Sequence, residues 1–387
     1  MSEKIPKGWK WVKLGEVGIV ITGKTPSSKH PEDWGYDMPF VTPTDYRNYR
    51  KFAYDSERYL SNAGINKLKN KVLPENSVLV TCIGSDMGKV VINKLPVITN
   101  QQINSIIPNR NIIFPDFLYY VLVYNYETLR IFASNGTAVP ILNKTDFENI
   151  EISTPPLPEQ KAIAEVLSSI DDKIDLLHRQ NKTLEEMAMT LFRQWFIEPT
   201  KDGLPEGWDI GKFEENLKIV YGKNLPTSKL QDSGYPVFGA NGKIGYYIEY
   251  MYEEPQVLIS CRGTAGKVNI SDPKSYITNN SFVLEKTINE NISFEYLKYY
   301  CLNYDFTQFV TGSVQPQITI EELNNAEILI PPNILINKFS KIISNFETKI
   351  FSNKIQIQTL DKIRDILLPK LMSGEVRVKV ENNELKG

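Results

Sequence analysis

The stretch Pro155–Phe196, PPLPEQKAIAEVLSSIDDKIDLLHRQNKTLEEMAMTLFRQWF, decides the fold. After its opening prolines the apolar residues fall into a seven-residue rhythm. Ile163, Ile170, Leu177, Leu184 and Leu191 make one row, and Leu167, Ile174, Asn181, Ala188 and Trp195 make a second row four residues on. A later segment, after Pro331–Pro332, has the same pattern. There Phe339, Phe346, Asn353, Leu360 and Leu367 alternate with Ile343, Ile350, Ile357, Arg364 and Leu371. Two rows sustained over about five heptads are the sign of a coiled-coil seam. At 1.5 Å per residue, about 37 residues make a rod of roughly 55 Å.

Each seam carries one asparagine, at places that are not equivalent. Antiparallel packing about a centre near Arg179 and Ile355 sets Asn181 against Asn353, Leu177 against Ile357, Leu184 against Ile350, Ala188 against Phe346 and Trp195 against Phe339. A parallel, in-step alignment would strand each amide against Leu or Ile. Facing amides fix register at some cost in stability. The sequence therefore predicts one intramolecular antiparallel coiled coil, acting as a ruler between two globular domains.

Those domains are copies of one unit. PKGW (Pro6–Trp9) returns as PEGW (Pro205–Trp208), and TGKTPSSK (Thr22–Lys29) returns as YGKNLPTSK (Tyr221–Lys229). VTCIGSDMGKV (Val80–Val90) matches ISCRGTAGKV (Ile259–Val268), and ITNQQ (Ile98–Gln102) matches ITNNS (Ile277–Ser281). FLYYVL (Phe117–Leu122) matches YLKYYCL (Tyr296–Leu302), NGTAVPIL (Asn135–Leu142) matches TGSVQPQI (Thr311–Ile318), and STPP matches LIPP. Seven matches in one order are a duplication. The shared residues are mostly Gly, Thr, Asn and Lys, which are loop types, and loops concentrate binding residues. The short apolar runs Val78–Val80, Val257–Ile259 and Ile328–Ile330 read as buried strands.

The expected architecture is an α/β (α+β) chain with pseudo-two-fold symmetry. Residues 1–155 form the first globular domain and 156–199 the first helix. Residues 200–332 form the second domain, 333–376 the second helix and 377–387 a tail.

The bulk numbers narrow the function. The 387 residues are 41% hydrophobic and 23% charged, ordinary for a soluble protein. Net charge is −2, but residues 1–150 hold about four more basic than acidic groups, and 200–332 about six more acidic than basic. Any DNA contact must come from local clusters. The start MSEKIPKGWKW lacks the apolar run of a signal peptide, and no stretch approaches the roughly 18 apolar residues of a membrane span, so a cytoplasmic address is expected. Cys82, Cys261 and Cys301 include no CxxC pair, which argues against structural zinc. His30 and His178 are single and expected to face solvent.

Gly18–Thr25, GIVITGKT, satisfies the phosphate-loop pattern GxxxxGK[ST]. Its interior is β-branched and suits a strand, and the second copy has Leu217 and Asn224 at two of the defining places. The Gly-Lys turn reads better as an exposed loop at a strand end than as a phosphate cradle. The Pro-Pro pairs, TPPL and IPPN, lack the Asn/Asp and aromatic residues of an adenine-gripping methyltransferase motif. No catalytic or metal-binding residues are expected.

In PPLPEQKAIAEVLSSIDDKID (Pro155–Asp175), LFRQWF (Leu191–Phe196) leading to LPEGW (Leu204–Trp208), and LLPKLMSGEVRV (Leu367–Val378), the chain resembles the specificity subunits of type I restriction–modification systems. The resemblance covers essentially the whole length. One departure is the second helix entry, PPNILINKFSKII, which has lost the PxxEQ form of the first. The resemblance implies a non-catalytic subunit whose two target-recognition domains each read half of a split DNA target, with the helix pair setting the spacing. It implies docking of adenine-methyltransferase subunits, two copies being usual, on helix faces outside the seam, and of a motor-nuclease for restriction. S-adenosylmethionine would then belong to the methyltransferase partner, ATP and Mg to the motor, and no cofactor to this chain.

Half-site reading needs Lys and Arg for phosphates and Arg, Lys, Asn, Gln, Ser and Thr for base edges. In the first copy the candidates are Lys24, Thr25, Lys29, Ser85, Lys89, Asn100, Gln101, Gln102, Thr137 and Lys144, with Thr44, Arg47 and Arg50 from the basic–aromatic run TPTDYRNYRK. In the second they are Lys223, Ser228, Lys229, Asn241, Arg262, Thr264, Lys267, Asn279, Asn280, Ser313, Gln315 and Gln317. Two other readings compete: a coiled-coil protein-interaction scaffold that does not read DNA, and an enzyme using Gly18–Thr25.

Overall fold

The computed structural model describes residues 5–84, 86–133, 141–312 and 315–379. The chain divides into two compact units, Met1–His178 with Lys354–Gly387, and Arg179–Asn353. Two long helices, Leu157–Phe192 and Asn333–Met372, each contribute to both. The second carries Pro369 in its last turn, where it lacks the amide that would donate to the carbonyl four residues back and sets its ring against that carbonyl.

In the first unit, β1 (Lys10–Lys13), β2 (Gly18–Thr22), β3 (Trp34–Val41), β4 (Phe52–Ala53) and β5 (Tyr59–Leu60) precede β6 (Val78–Thr81), β7 (Val90–Asn93), β8 (Ile98–Thr99), β9 (Ile103–Pro108) and β10 (Glu151–Thr154). They form a five-stranded sheet ordered β2-β9-β6-β7-β4, a three-stranded sheet β5-β3-β8 and an antiparallel pair β1-β10. β6 and β7 are buried along their whole length, which explains their unbroken apolar runs.

The second unit rebuilds this plan. β11 (Asp209–Lys212), β12 (Leu217–Tyr221), β13 (Tyr235–Gly239), β14 (Gly242–Tyr247) and β15 (Val257–Ser260) precede β16 (Val268–Ile270), β17 (Tyr276–Ile277), β18 (Ser281–Thr287) and β19 (Glu327–Ile330). The sheets are β12-β18-β15-β16, β14-β13-β17 and β11-β19. The duplication is thus visible in the sheets, except that β4, paired with β7 at the edge of the first unit, has no counterpart in the second, and with one adjustment to the sequence alignment. Thr81 pairs with Ile103 and Ser260 with Ser281, and the Cys82 and Cys261 amides donate to Gln102 and Asn280. Ladder geometry therefore sets Asn100, Gln101 and Gln102 against Thr278, Asn279 and Asn280, one residue away from the ITNQQ/ITNNS match. Letter identity misled there because Ile and Thr recur at the strand end, whereas hydrogen bonding fixes register.

The seam pairs as the asparagines require. In the second unit Asn353 Nδ2 donates to Asn181 Oδ1 at 2.8 Å, both residues being buried. Trp195 lies 6.2 Å from Phe339 between ring centroids. In the first unit Leu177, Ile174 and Ile357 form one buried cluster with Leu360 beside it. Arg364, the polar residue of the second seam, meets Asp171 at 3.2 Å.

The outer turns of each helix are not free rod. Ile163, Ala164, Leu167, Leu371 and Met372 belong to the core of the first unit, together with Phe117, Tyr120 and Phe147. Phe192, Phe196, Ile336, Phe339 and Ile343 belong to the core of the second, with Tyr296 and Phe282.

A second tie joins a short helix, Pro115–Tyr124 or Phe294–Asn303, to a long one in each unit. Tyr120 OH donates to Asp171 at 2.6 Å, and Tyr299 OH donates to Glu347 at 2.9 Å, from equivalent places in the two copies. Burial, and then the adjacent carboxylate, pushes both phenols well above their ordinary range, so each remains a donor. The buried Lys51 ammonium adds contacts of 2.6 Å to Asp116 and to Ser168.

Either single change, Asn181→Leu or Asn353→Leu, leaves a buried amide without its partner, and should cost about 1–3 kcal/mol. The double Leu variant should recover most of that loss. Chemical denaturation of the three variants checks this, and a double variant as unstable as the sum of the singles would contradict it.

Candidate nucleic-acid interface

The first unit gathers its repeated loops through backbone hydrogen bonds. The Gly23 amide donates to Ile103 O at 3.1 Å and the Lys24 amide to Thr99 O at 2.9 Å. The Cys82 amide donates to Gln102 O at 2.7 Å, and the Leu142 amide to Cys82 O at 2.9 Å. Side chains reinforce the cluster. Thr25 Oγ1 donates to Gln101 Oε1 at 2.7 Å, and Asn100 Nδ2 to Gln102 Oε1 at 2.8 Å. Asn100 itself is buried, so it shapes the loop and presents Gln101, which is exposed.

The second unit repeats the frame. The Gly222 and Lys223 amides donate to Ser281 O at 3.0 Å and Ile277 O at 2.9 Å. The Cys261 amide donates to Asn280 O, and Ile318 to Cys261 O, both at 3.0 Å. Thr264 Oγ1 donates to Asn241 Oδ1 at 2.8 Å, which ties the β13–β14 turn to the loop after β15.

The Gly-Lys pairs now have a structural cause. A Cβ on Gly23 would lie 2.2 Å from Asn100 O, and one on Gly222 would lie 2.2 Å from Thr278 O. Only glycine permits that approach. Gly18–Thr22 is a strand paired along its length with β9, so the residues of the phosphate-loop pattern are committed to a ladder. Lys24 and Lys223 stand exposed at the ends of the paired strands β2 and β12.

Charge at the loops is uneven. Lys24, Lys29, Lys223, Lys229, Arg262 and Lys267 are exposed and form no ion pair among the described residues. Lys89 meets Asp86 at 2.6 Å, and Lys144 meets Glu148 at 3.4 Å. Ser228, Asn280, Gln315 and Gln317 are exposed, while Asn279 is half-buried. Ser85, Thr137 and Ser313 lie outside the described residues.

The basic–aromatic run divides. Thr44 is exposed just beyond Val41, whose carbonyl accepts the Asn100 amide at 3.1 Å. Arg47 pairs with Glu57 at 2.5 Å. Arg50 is exposed, yet partial desolvation pulls its pKa down, while the helix carboxylates Asp175 and Asp361 oppose that shift. His178 is half-buried rather than solvent-facing, and burial and then Arg50 lower its pKa. His30 is exposed beside Glu32.

Two features escaped the sequence reading. Lys243, on the β13–β14 hairpin, donates to Tyr246 OH at 3.0 Å, but the first copy has no matching hairpin sequence. Ile83 and Ile141 pair within the first loop cluster, an apolar element that a pattern of polar residue types does not mark. Among the described residues no group of His, Cys, Asp or Glu could hold a metal ion, and no helix is long and apolar enough to cross a membrane.

Comparison with known proteins follows the same two-copy division. Residues 6–186 and 205–362 match the model of the type I restriction modification DNA specificity domain. The MjaIX specificity subunit of Methanocaldococcus jannaschii is 32% identical over 416 residues, covering 97% of this chain and 95% of its own. The HindI specificity subunit of Haemophilus influenzae is 37% identical over 185 residues, 47% of this chain and 40% of that one. The crystal structure of a type I S subunit from M. genitalium shares the fold with a TM-score of 0.62 at 18% identity, covering 96% of this chain and 97% of that one.

Gly222→Ala forces a methyl group into the Thr278 carbonyl, and should destabilise the second unit by about 1–3 kcal/mol. Thermal melting checks this, and an unchanged midpoint would show that the loops do not meet as closely as described.

Proposed function

The chain belongs to the type I restriction–modification DNA specificity family, and from that premise we propose that each of its two globular units reads one half of a split DNA target. As a specificity subunit it is non-catalytic. The observation that carries the reading is the loop frame itself, built twice by the same backbone hydrogen bonds but furnished with different side chains. A common frame holds the two units to one mode of docking, and the changed side chains let the halves differ.

The unpaired lysines at the loops supply phosphate contacts. Because few such cations are present, the methyltransferase partner contributes much of the phosphate affinity. The long helices set the spacing between half-sites through their fixed register. Their faces outside the seam dock the adenine-methyltransferase subunits, two per chain, which carry S-adenosylmethionine. In the first unit, Ile355, Ile363 and Ile366 are 50%, 41% and 59% exposed on one long helix, an apolar set that a partner would cover. A motor-nuclease subunit bringing ATP and Mg completes the restriction complex, and this chain binds no cofactor of its own.

Replacing residues 1–155 with the corresponding domain of another family member should change one half of the methylated sequence and leave the other intact. Sequencing methylated adenines in cells carrying each version reads this directly. Change in both halves, or in neither, defeats the modular reading. Lys223→Ala should weaken binding to all sequences alike and reduce the slope of log affinity against log salt by about 1. Pairing Ile363→Asp with Ile366→Asp should abolish co-purification of the methyltransferase subunits, and retained complex would exclude that face.

A further inference from the structure

The loop after β6 in the first unit and the loop after β15 in the second each leave one residue at a matched place, bridged to a second strand-like segment. Ile83 is bridged antiparallel to Ile141, and Arg262 is bridged antiparallel to Gln317. The surrounding bonds are the same in both units. The preceding cysteine amide donates to the residue before β9 or β18, and its carbonyl accepts Leu142 or Ile318. One backbone slot therefore displays an isoleucine in one copy and an arginine in the other.

Arg262 is the only arginine between residues 200 and 332. That segment is rich in carboxylates, yet Arg262 is exposed and makes no ion pair or side-chain hydrogen bond among the described residues. Its base is fixed from three sides: by the Cys261 bonds, by the bridge to Gln317 and by Thr264 held on Asn241. A guanidinium free at its tip on a rigid mount suits recognition that needs a defined direction. Phosphate attraction needs no such mount, and exposed Lys223, Lys229 and Lys267 already serve it.

We infer that Arg262 reads a guanine in the half-site bound by the second unit, through paired hydrogen bonds to O6 and N7 in the major groove. Two parallel N–H donors match the two acceptors on that base edge and on no other base. In the first unit the same slot presents an aliphatic surface, Ile83 with Ile141, which cannot donate to guanine. This inference rests on the DNA-reading function proposed above and deepens it.

The test uses the full chain co-expressed with its methyltransferase subunits. Methylated sites are mapped for the natural protein, for Arg262→Ala and for Lys267→Ala, with binding measured on duplexes varied at each position of the second half-site. The half read by the second unit should contain a fixed G·C pair. Arg262→Ala should lose roughly 5- to 150-fold of the preference for it and leave the first half-site unchanged. Lys267→Ala should weaken all duplexes alike with the recognised sequence intact. A thermal melt of Arg262→Ala within a few degrees of the natural protein shows that the loss is not unfolding. Arg262 as a guanine reader is overturned by a second half-site without a G·C pair, or by uniform weakening in Arg262→Ala. Absence of sequence-specific binding by the natural complex would instead bring down the DNA-reading function itself.

Discussion

The hydrogen bond from Asn353 to Asn181 is the constraint on which the rest of the helix pair depends. Two long apolar seams can slide by a heptad at modest cost in hydrophobic burial, because one Leu or Ile packs much like another. A buried amide cannot slide, since losing its partner leaves a desolvated polar group unsatisfied. The register in which the amides meet also sets Trp195 against Phe339 in the second unit, and Leu177 with Ile357 and Asp171 with Arg364 in the first. Polar specificity at one layer thus decides the packing of many apolar ones.

The helices are also part of the recognition domains. Their end turns supply core residues to each unit, and Tyr120 and Tyr299 bind equivalent carboxylates on them. A rod attached only by its ends would let each unit's loops swing. Core packing together with a buried phenol–carboxylate bond removes that freedom, so helix register and loop orientation are coupled within each unit. The seam therefore bears on how the loops of each unit are held, and not only on the helices themselves.

The two copies show how one backbone frame carries two sets of side chains. The features that hold loops together recur: Gly23 and Gly222 under a neighbouring carbonyl, and Cys82 and Cys261 bonded on both sides. The features that point outward differ, as Ile83 and Arg262 do at one slot. Backbone hydrogen bonds do not depend on side-chain identity, so the frame tolerates change at the positions that would meet DNA.

The duplication, the two long helices and their antiparallel register were all legible from residue order alone. Heptad spacing and the position of two asparagines depend only on local periodicity and on the cost of burying an amide. Tertiary structure decided what periodicity cannot reach. It shifted the ITNQQ match by one residue, because ladder bonds rather than letters define equivalence. It showed that Asn100 supports the loop from within, that Arg50 feels the charge of helix carboxylates, and that His178 is half-buried. It also brought Ile83 beside Ile141 and Arg262 beside Gln317 across more than fifty residues of chain. A side chain's role depends on neighbours that only folding brings near, whereas a helix seam is written in the spacing of its own residues.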